Sequence, residues 1–286
     1  MSGETTVDGH DEEHLPASTE DLDNRGPLLA MARRLSPLLF TIATMLALEL
    51  GRLALGVSSE ATIPSLWSVI GDFVGLLVEA DFWQAMVQSL VPWLIALGLA
   101  LAIGIPVGFA IGSSPWFRGA LSTPVEILRP IPSVALIPLT VVWLGATGWS
   151  AKIFLATFAS VWPVVYQARY GAGQIDSTLA QTARSYGLGP VARVRHVVLP
   201  SMAPFVATGI RLAAAIALIL VISSELLIGG DGIGVAINDA RQALDLPRMY
   251  ALTAASGLLG WLVAYGLKRL EARALFWHSS QRLAEV

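Results

Sequence analysis

Residues 175–200 read IDSTLAQTARSYGLGPVARVRHVVLP, a polar stretch between long apolar segments. Asp176 or Ser177 offers a helix cap, and Leu179, Ala183 and Tyr186 follow at i, i+4 and i+7 as one narrow apolar face. Gly187 stops that helix where a left-handed residue costs least, and Gly189-Pro190 turns the chain. Pro190 suits the first turn of a second helix, apolar at Val191, Val194 and Val198, with Arg193 and Arg195 facing elsewhere. Leu199-Pro200 is expected to end it, because proline disfavours helical geometry at the preceding residue and lacks a backbone donor. The stretch reads as a compact knob, about residues 170–200, between two membrane spans.

The flanks set the class. Hydrophobic residues make up 55% of the 286 and charged residues 14%, against about 25% charged in soluble domains. There is no cysteine, so disulfides and thiolate metal sites are excluded. The histidines (His10, His14, His196, His278) are too scattered for a metal site. Residues 1–27 hold eight Asp or Glu, one Arg and almost no large apolar residue. Such a segment cannot offset its ordering entropy and reads as a disordered acidic tail. It lacks the basic start and apolar run of a signal peptide.

Residues 28–286 read as one all-α integral membrane domain. Apolar runs at about 35–57, 89–111, 120–144, 150–168, 203–228 and 250–267 give six transmembrane helices. Glu49 and Arg52, three apart near the end of the first run, can pair or reach the interface. Residues 66–77 form an amphipathic helix with Leu66, Val69, Ile70, Phe73, Val74 and Leu77 on one face, lying along the outer surface. Pro92 and Pro106 are expected to bend the second span. The third holds Pro124, Pro130, Pro132 and Pro138, tolerable only where the freed carbonyls face protein or a wet cavity. Six spans put both termini on one side. That side, with the knob, carries 12 of the 18 Lys and Arg, whereas the opposite loops carry Lys152, Arg241 and Arg248. The positive-inside rule therefore places knob and termini in the cytoplasm.

The knob resembles the EAA loop of permease subunits in ATP-binding-cassette importers. The family pattern is Glu-Ala-Ala, three residues, Gly, nine residues, Ile or similar, one residue, Leu-Pro. Here Gln181-Thr182-Ala183, Gly187, Val197 and Leu199-Pro200 keep every spacing, with Gln181 in the place of Glu and Thr182 in the place of the first Ala. The resemblance runs from about residue 89 to 240, through RPIPSVALIPLTVVWLGATGWSAK (129–152) and ELLIGGDGIGVAINDA (225–240), which look most like the branch importing nitrate, taurine and aliphatic sulfonates. It implies a fold like that of type I importer permeases, in a bacterial cytoplasmic membrane. It also implies two ATPase subunits, a second permease copy as a homodimer and an extracytoplasmic solute-binding protein. ATP and Mg would be used by the partner subunit, with no cofactor on this chain. In the family this loop docks on the ATPase, which implies coupling roles for Asp176, Leu179, Gln181, Thr182, Ala183, Tyr186, Gly187, Leu199 and Pro200. Gln181 removes the charge that the family's Glu would bring to that contact.

The residues agree that this chain is not the ATPase. A phosphate loop needs Gly-Lys followed by Ser or Thr, and Lys152 and Lys268, its lysines, sit in WSAKI and YGLKRL. The GGDGIG run from Gly229 has no strand before it and reads as a turn. Nothing marks a nucleic-acid partner. Without an ATPase partner the alternative is a secondary transporter, whose usual mark, inverted repeats, is not seen. Charges within spans are costly and point to function. Arg129, beside Pro130 and Pro132, either guides an anion or pairs with Glu126 at i, i+3, and the pair is the plainer account. Arg211 either lines a path or snorkels to the interface, and Glu225 holds an outer loop or a gate. Trp143, Trp149 and Trp162 read as interface anchors or packing.

Overall fold

The computed structural model describes residues 47, 49–51, 64–145, 148–174 and 177–276. The acidic segment 1–27, most of the expected first span and Asp176 lie outside them. The chain divides into two units, Met1–Leu66 and Trp67–Val286. In the first, the backbone N–H of Leu66 donates to the Glu49 carboxylate at 3.2 Å.

The elements described in the second unit are all helical. They are α1 (Leu66–Leu76, whose first residue closes the first unit), α2 (Ala80–Ser113), α3 (Pro115–Leu128), a 3-10 turn (Ser133–Leu136), α4 (Ile137–Leu144), α5 (Trp149–Gly173), α6 (Ser177–Ser185), α7 (Pro190–Ile228), α8 (Ile233–Gln242) and α9 (Leu246–Ala274). Three helices, α2, α7 and α9, are long and apolar enough to cross a membrane, and α3 with the 3-10 turn and α4 makes a fourth candidate bent by 81°.

The core is built on α5. Ala96, Ala100, Gly104, Gly108 and Gly112 recur every four residues on α2 and are all buried. A Cβ on Gly104 would meet Val164 at 2.8 Å, one on Gly108 would meet the Ala168 Cβ at 2.7 Å, and one on Gly112 would meet the Ala172 Cβ at 2.6 Å. Small residues therefore let the two backbones touch, as interhelical packing in lipid favours. The constant offset of 60 between partners makes α2 and α5 parallel. On the other side α7 runs antiparallel to α5, with Gly171 against Phe205 and Gly209 against Gln167. Between α2 and α7, the Trp93 indole N–H donates to the Ala214 carbonyl at 2.9 Å. Flanked on both sides, α5 buries 11 of its 25 residues, Lys152 among them. At 25 residues it spans about 37 Å. It is nonetheless absent from the helices apolar enough to cross, and it carries Lys152 and Ser160 on its buried faces.

Several expectations change. The second and sixth spans are longer than the apolar runs, at 34 and 29 residues. The third is broken at Arg129–Pro132, because Pro130 and Pro132 cannot complete the helical ladder there. The second knob helix does not end at Leu199-Pro200. It continues through a π turn, Val194–Val198, into the 30 residues Leu199–Ile228. In that turn the Leu199 N–H bonds to the Val194 carbonyl, five residues back. The extra residue absorbs the bond Pro200 cannot make. Finally, the apolar face of α1 is divided. Leu76 is buried, and Val69 and Phe73 pack beside it against Ile233 and Ile237 of α8, whereas Ile70, Val74 and Leu77 stay exposed. At 11 residues, about 17 Å, α1 is too short to span.

Candidate functional site

At one end of the bundle the knob forms much as its residues dictate. Gly187 takes φ +70 after α6. Its N–H bonds to the Arg184 carbonyl at 2.9 Å and that of Leu188 to the Ala183 carbonyl at 3.1 Å, the paired closure of a Schellman turn. Pro190 opens the next helix, and the Arg193 guanidinium donates to the Leu188 carbonyl at 3.3 Å, fastening the corner. The expected apolar face of α6 is not a packing face. Ala183 alone of the three turns inward; Leu179 is exposed and Tyr186 is 82% exposed. Val191 (80%) and Leu199 (50%) add to them. Gln181, Thr182 and Pro200 are exposed too, and the Thr182 hydroxyl donates to the Thr178 carbonyl at 2.8 Å. So the knob presents apolar side chains among arginines, and none of the described residues covers them.

At the other end lies a cluster that the sequence did not assemble. Glu225 of α7 is 0% exposed and Lys152 of α5 is 2% exposed. The Lys152 Nζ donates to Glu225 Oε1 at 3.1 Å and also to the Asp231 carbonyl. The Ser89 hydroxyl of α2 lies 2.9 and 2.8 Å from the two carboxylate oxygens and accepts from the Ile233 N–H at 2.9 Å. The Gly234 N–H donates to Oε2 at 2.9 Å. A buried ion pair is costly unless its remaining hydrogen bonds are met, and here Ser89 of α2, the Asp231 carbonyl of the loop and the Gly234 N–H of α8 supply them. Gly229, Gly230 and Gly232 all have positive φ, so GGDG is a turn as expected. A Cβ at Gly232 would occupy the Glu225 carboxyl itself. The sequence read Lys152 as a loop charge and left Glu225 between two roles. The signal was one Lys and one Glu of opposite sign, both near the same end of neighbouring spans.

Of the path candidates, Arg129 does not pair with Glu126. The ion pairs given for the described residues join Lys152 to Glu225, Arg211 to Glu271 and Arg248 to Glu79. The Arg129 guanidinium instead sits 4.5 Å from the centre of the Tyr166 ring, a cation–π contact at the break between Pro130 and Pro132. Arg129 is still helical, at φ -58 and ψ -47 as the C-cap of α3, so it shares the face of Glu126, and its guanidinium turns to the ring of Tyr166 instead. Arg211 reaches Glu271 of α9 at 3.4 Å and lines an apolar groove between α7 and α9. Trp162 packs edge-on against Phe158 in the core, whereas Trp143 is exposed. The three candidate path charges thus meet three different partners, Tyr166, Glu271 and Lys152. No cluster of His, Asp and Glu among the described residues could hold a metal.

The family model for the inner membrane component of binding-protein-dependent transport systems matches residues 100–275. The chain belongs to that family. It is 33% identical to the aliphatic sulfonates transport permease protein SsuC of Escherichia coli (strain K12), over 82% of this chain and 88% of that one. It is 29% identical to the taurine transport system permease protein TauC of the same organism, over 70% and 73%. Its fold is similar to a chain of the MetNI methionine ABC transporter in an inward facing conformation, with a TM-score of 0.59 and 22% identity over 70% of this chain and 96% of that one. This permease is therefore the inner-membrane, multi-pass component of its transport system, and hydrolysis of ATP belongs to a separate subunit.

Proposed function

We propose that this permease carries a small organic or inorganic anion of the sulfonate, taurine or nitrate kind into the cell. The solute class rests on the signatures at 129–152 and 225–240 and on the names of the relatives. Two copies form the path, two ATPase subunits dock on the knobs, and an external binding protein delivers solute. The span at about residues 35–57, the four candidate crossings and α5 make six, with both termini and the knob in the cytoplasm. ATP and Mg are used by the ATPase. Arg129, exposed at the broken span beside Pro130 and Pro132, is the cation placed to meet an anion, and its ring contact with Tyr166 leaves it no carboxylate to release.

One observation carries the docking reading: Leu179, Tyr186, Val191 and Leu199 stand exposed on a hydrogen-bonded knob. An apolar cluster ringed by charge marks a protein contact. Closure of the ATPase dimer then moves the knob, and the spans convert that movement into alternating access. The test is ATPase retained on a tagged permease after washing. At φ +70 a β-branched residue costs about 1–3 kcal/mol, small against the packed spans and large for α6, a helix of 9 residues. Gly187→Val is expected to insert normally and lose most of the retained ATPase, while Gln181→Glu retains it. Wild-type retention and uptake by Gly187→Val would remove the knob from the coupling role.

A further inference from the structure

The cluster around Glu225 lies at one end of α7 and the knob at the other. From Pro190 to Ile228 the helix is continuous for 39 residues, about 58 Å. The π turn lets it pass Pro200 without a break. Two glycines then let the turn after α7 fold back onto α7's own carboxylate. Gly232 leaves room for the carboxyl, and a Cβ on Gly234 would stand 2.6 Å from the Glu225 Cβ. Through Lys152 and the Asp231 carbonyl, Ser89 and the Ile233 N–H, and Oε2 and the Gly234 N–H, the segment 229–234, the loop with the first two residues of α8, is held at three backbone points. Beyond the loop, α8 buries Ile233, Ile237 and Ala240 against α1 and the start of α9.

We infer that Glu225, Lys152 and Ser89 are positioning residues for transport: they fasten the turn 229–232 and the start of α8 to the far end of α7, so that displacement of the knob reaches α8 through one rod. The inference rests on the docking of an ATPase at the knob. The Ile233 and Gly234 N–H groups lie in the first turn of α8, so the cluster caps α8 as well as closing the turn before it. Held so, the turn follows α7 without a side chain of its own. Both carboxylate oxygens accept bonds and the ammonium makes two, so the joint ties α2, α5 and α7 to the segment after α7.

The test uses the assembled permease–ATPase complex in lipid nanodiscs. The chain has no cysteine, so Asp239→Cys on the exposed side of α8 is a clean reporter for a charged maleimide. Its labelling rate is compared between nucleotide-free complex and complex trapped with ATP, Mg and vanadate, with trapped nucleotide measured in parallel. In the otherwise wild-type chain trapping is expected to change the rate several-fold. In Lys152→Met/Glu225→Gln, which removes both charges together, and in Gly232→Ala, which displaces the turn and keeps both charges, trapped nucleotide is unchanged and the rate ratio falls toward one. Gly71→Ala on α1, where a Cβ meets open space, keeps the wild-type ratio. Ser89→Ala, which deletes one hydroxyl, stands in for any variant that fails to assemble and is expected to lower the ratio. A wild-type ratio in the cluster variants, or a ratio of one in the parent despite full trapping, overturns the inference. Failure of the parent complex to hold the ATPase at all defeats the docking reading instead, and the rod with it.

Discussion

Glu79, in the corner between α1 and α2, receives two hydrogen bonds from Arg248 at the start of α9, at 3.0 and 2.5 Å. That bidentate donation, more than the bare charge of the guanidinium, holds the Glu79 carboxyl below its ordinary range. A lowered folded pKa gives stability that is present above the unfolded value, about 4.3, and is lost as pH falls through the folded one. The melting temperature of the purified permease is therefore expected to exceed that of Glu79→Gln at pH 6, and the gap to close as pH drops below about 4. A gap unchanged at acid pH would mean that the pair contributes packing and no charge. Both side chains are partly exposed, so the effect is modest. At this scale the sequence shows what is local and conceals what is not. Gly187 was legible because a helix stop needs a left-handed residue within its own turn. Glu79 and Arg248 stand 169 residues apart, and no spacing rule reaches that far. Glu126 and Arg129 had the right spacing and a helical backbone and still do not pair, since the Tyr166 ring, 37 residues on in sequence, takes the guanidinium.

The elements were legible as apolar runs, while their joints were hidden in proline. Pro130 and Pro132 break a helix, Pro92 and Pro106 sit inside α2, and Pro200 is carried through a π turn. The residue type is the same each time, and what differs is whether neighbouring turns can absorb the missing bond. The stripe Ala96, Ala100, Gly104, Gly108 and Gly112 was present in the sequence and is the plainest lost signal, since small residues every four places mark a helix that another helix touches. Its energetic content is testable by adding methyl groups. A Cβ at Gly108 would run into the Val165 carbonyl and stand 2.9 Å from the Arg169 nitrogen, backbone atoms that cannot swing aside. Overpacking of this kind costs about 1–3 kcal/mol or more. Gly108→Val is expected to lower the yield of monodisperse permease sharply, while Gly98→Val on the same helix, facing open space, leaves it near wild type. Equal yields would mean that α2 and α5 part easily and that the stripe is no contact.

For the whole molecule, two independent lines bear on how the chain threads the membrane. Because α2 and α5 pack in parallel, with Gly104 beside Val164 and Gly112 beside Ala172, both run from the Glu225 end to the knob end. The chain leaves α2 at the knob end and enters α5 at the opposite end. The residues between must therefore travel the length of the bundle, and the pair bent by 81° is a crossing and not a loop that returns to its own side. The second line is charge. Among the basic residues assigned to the far side, Lys152 is withdrawn into its ion pair, which leaves Arg241 and Arg248 there, against Arg184, Arg193 and Arg195 on the knob. The positive-inside rule rests here on the sequence count, in which the knob side carries 12 of the 18 Lys and Arg. The prediction is that Gly71→Cys on α1 and Asp239→Cys on α8 label with a charged maleimide added to intact cells, and that Ser185→Cys, exposed at the end of α6, labels only after the membrane is opened. All three lie on described surface helices, so an unlabelled site reports sidedness and not burial. External labelling of Ser185→Cys in sealed cells would put the knob outside, where no ATPase can reach it, and the coupling mechanism would fall with the orientation.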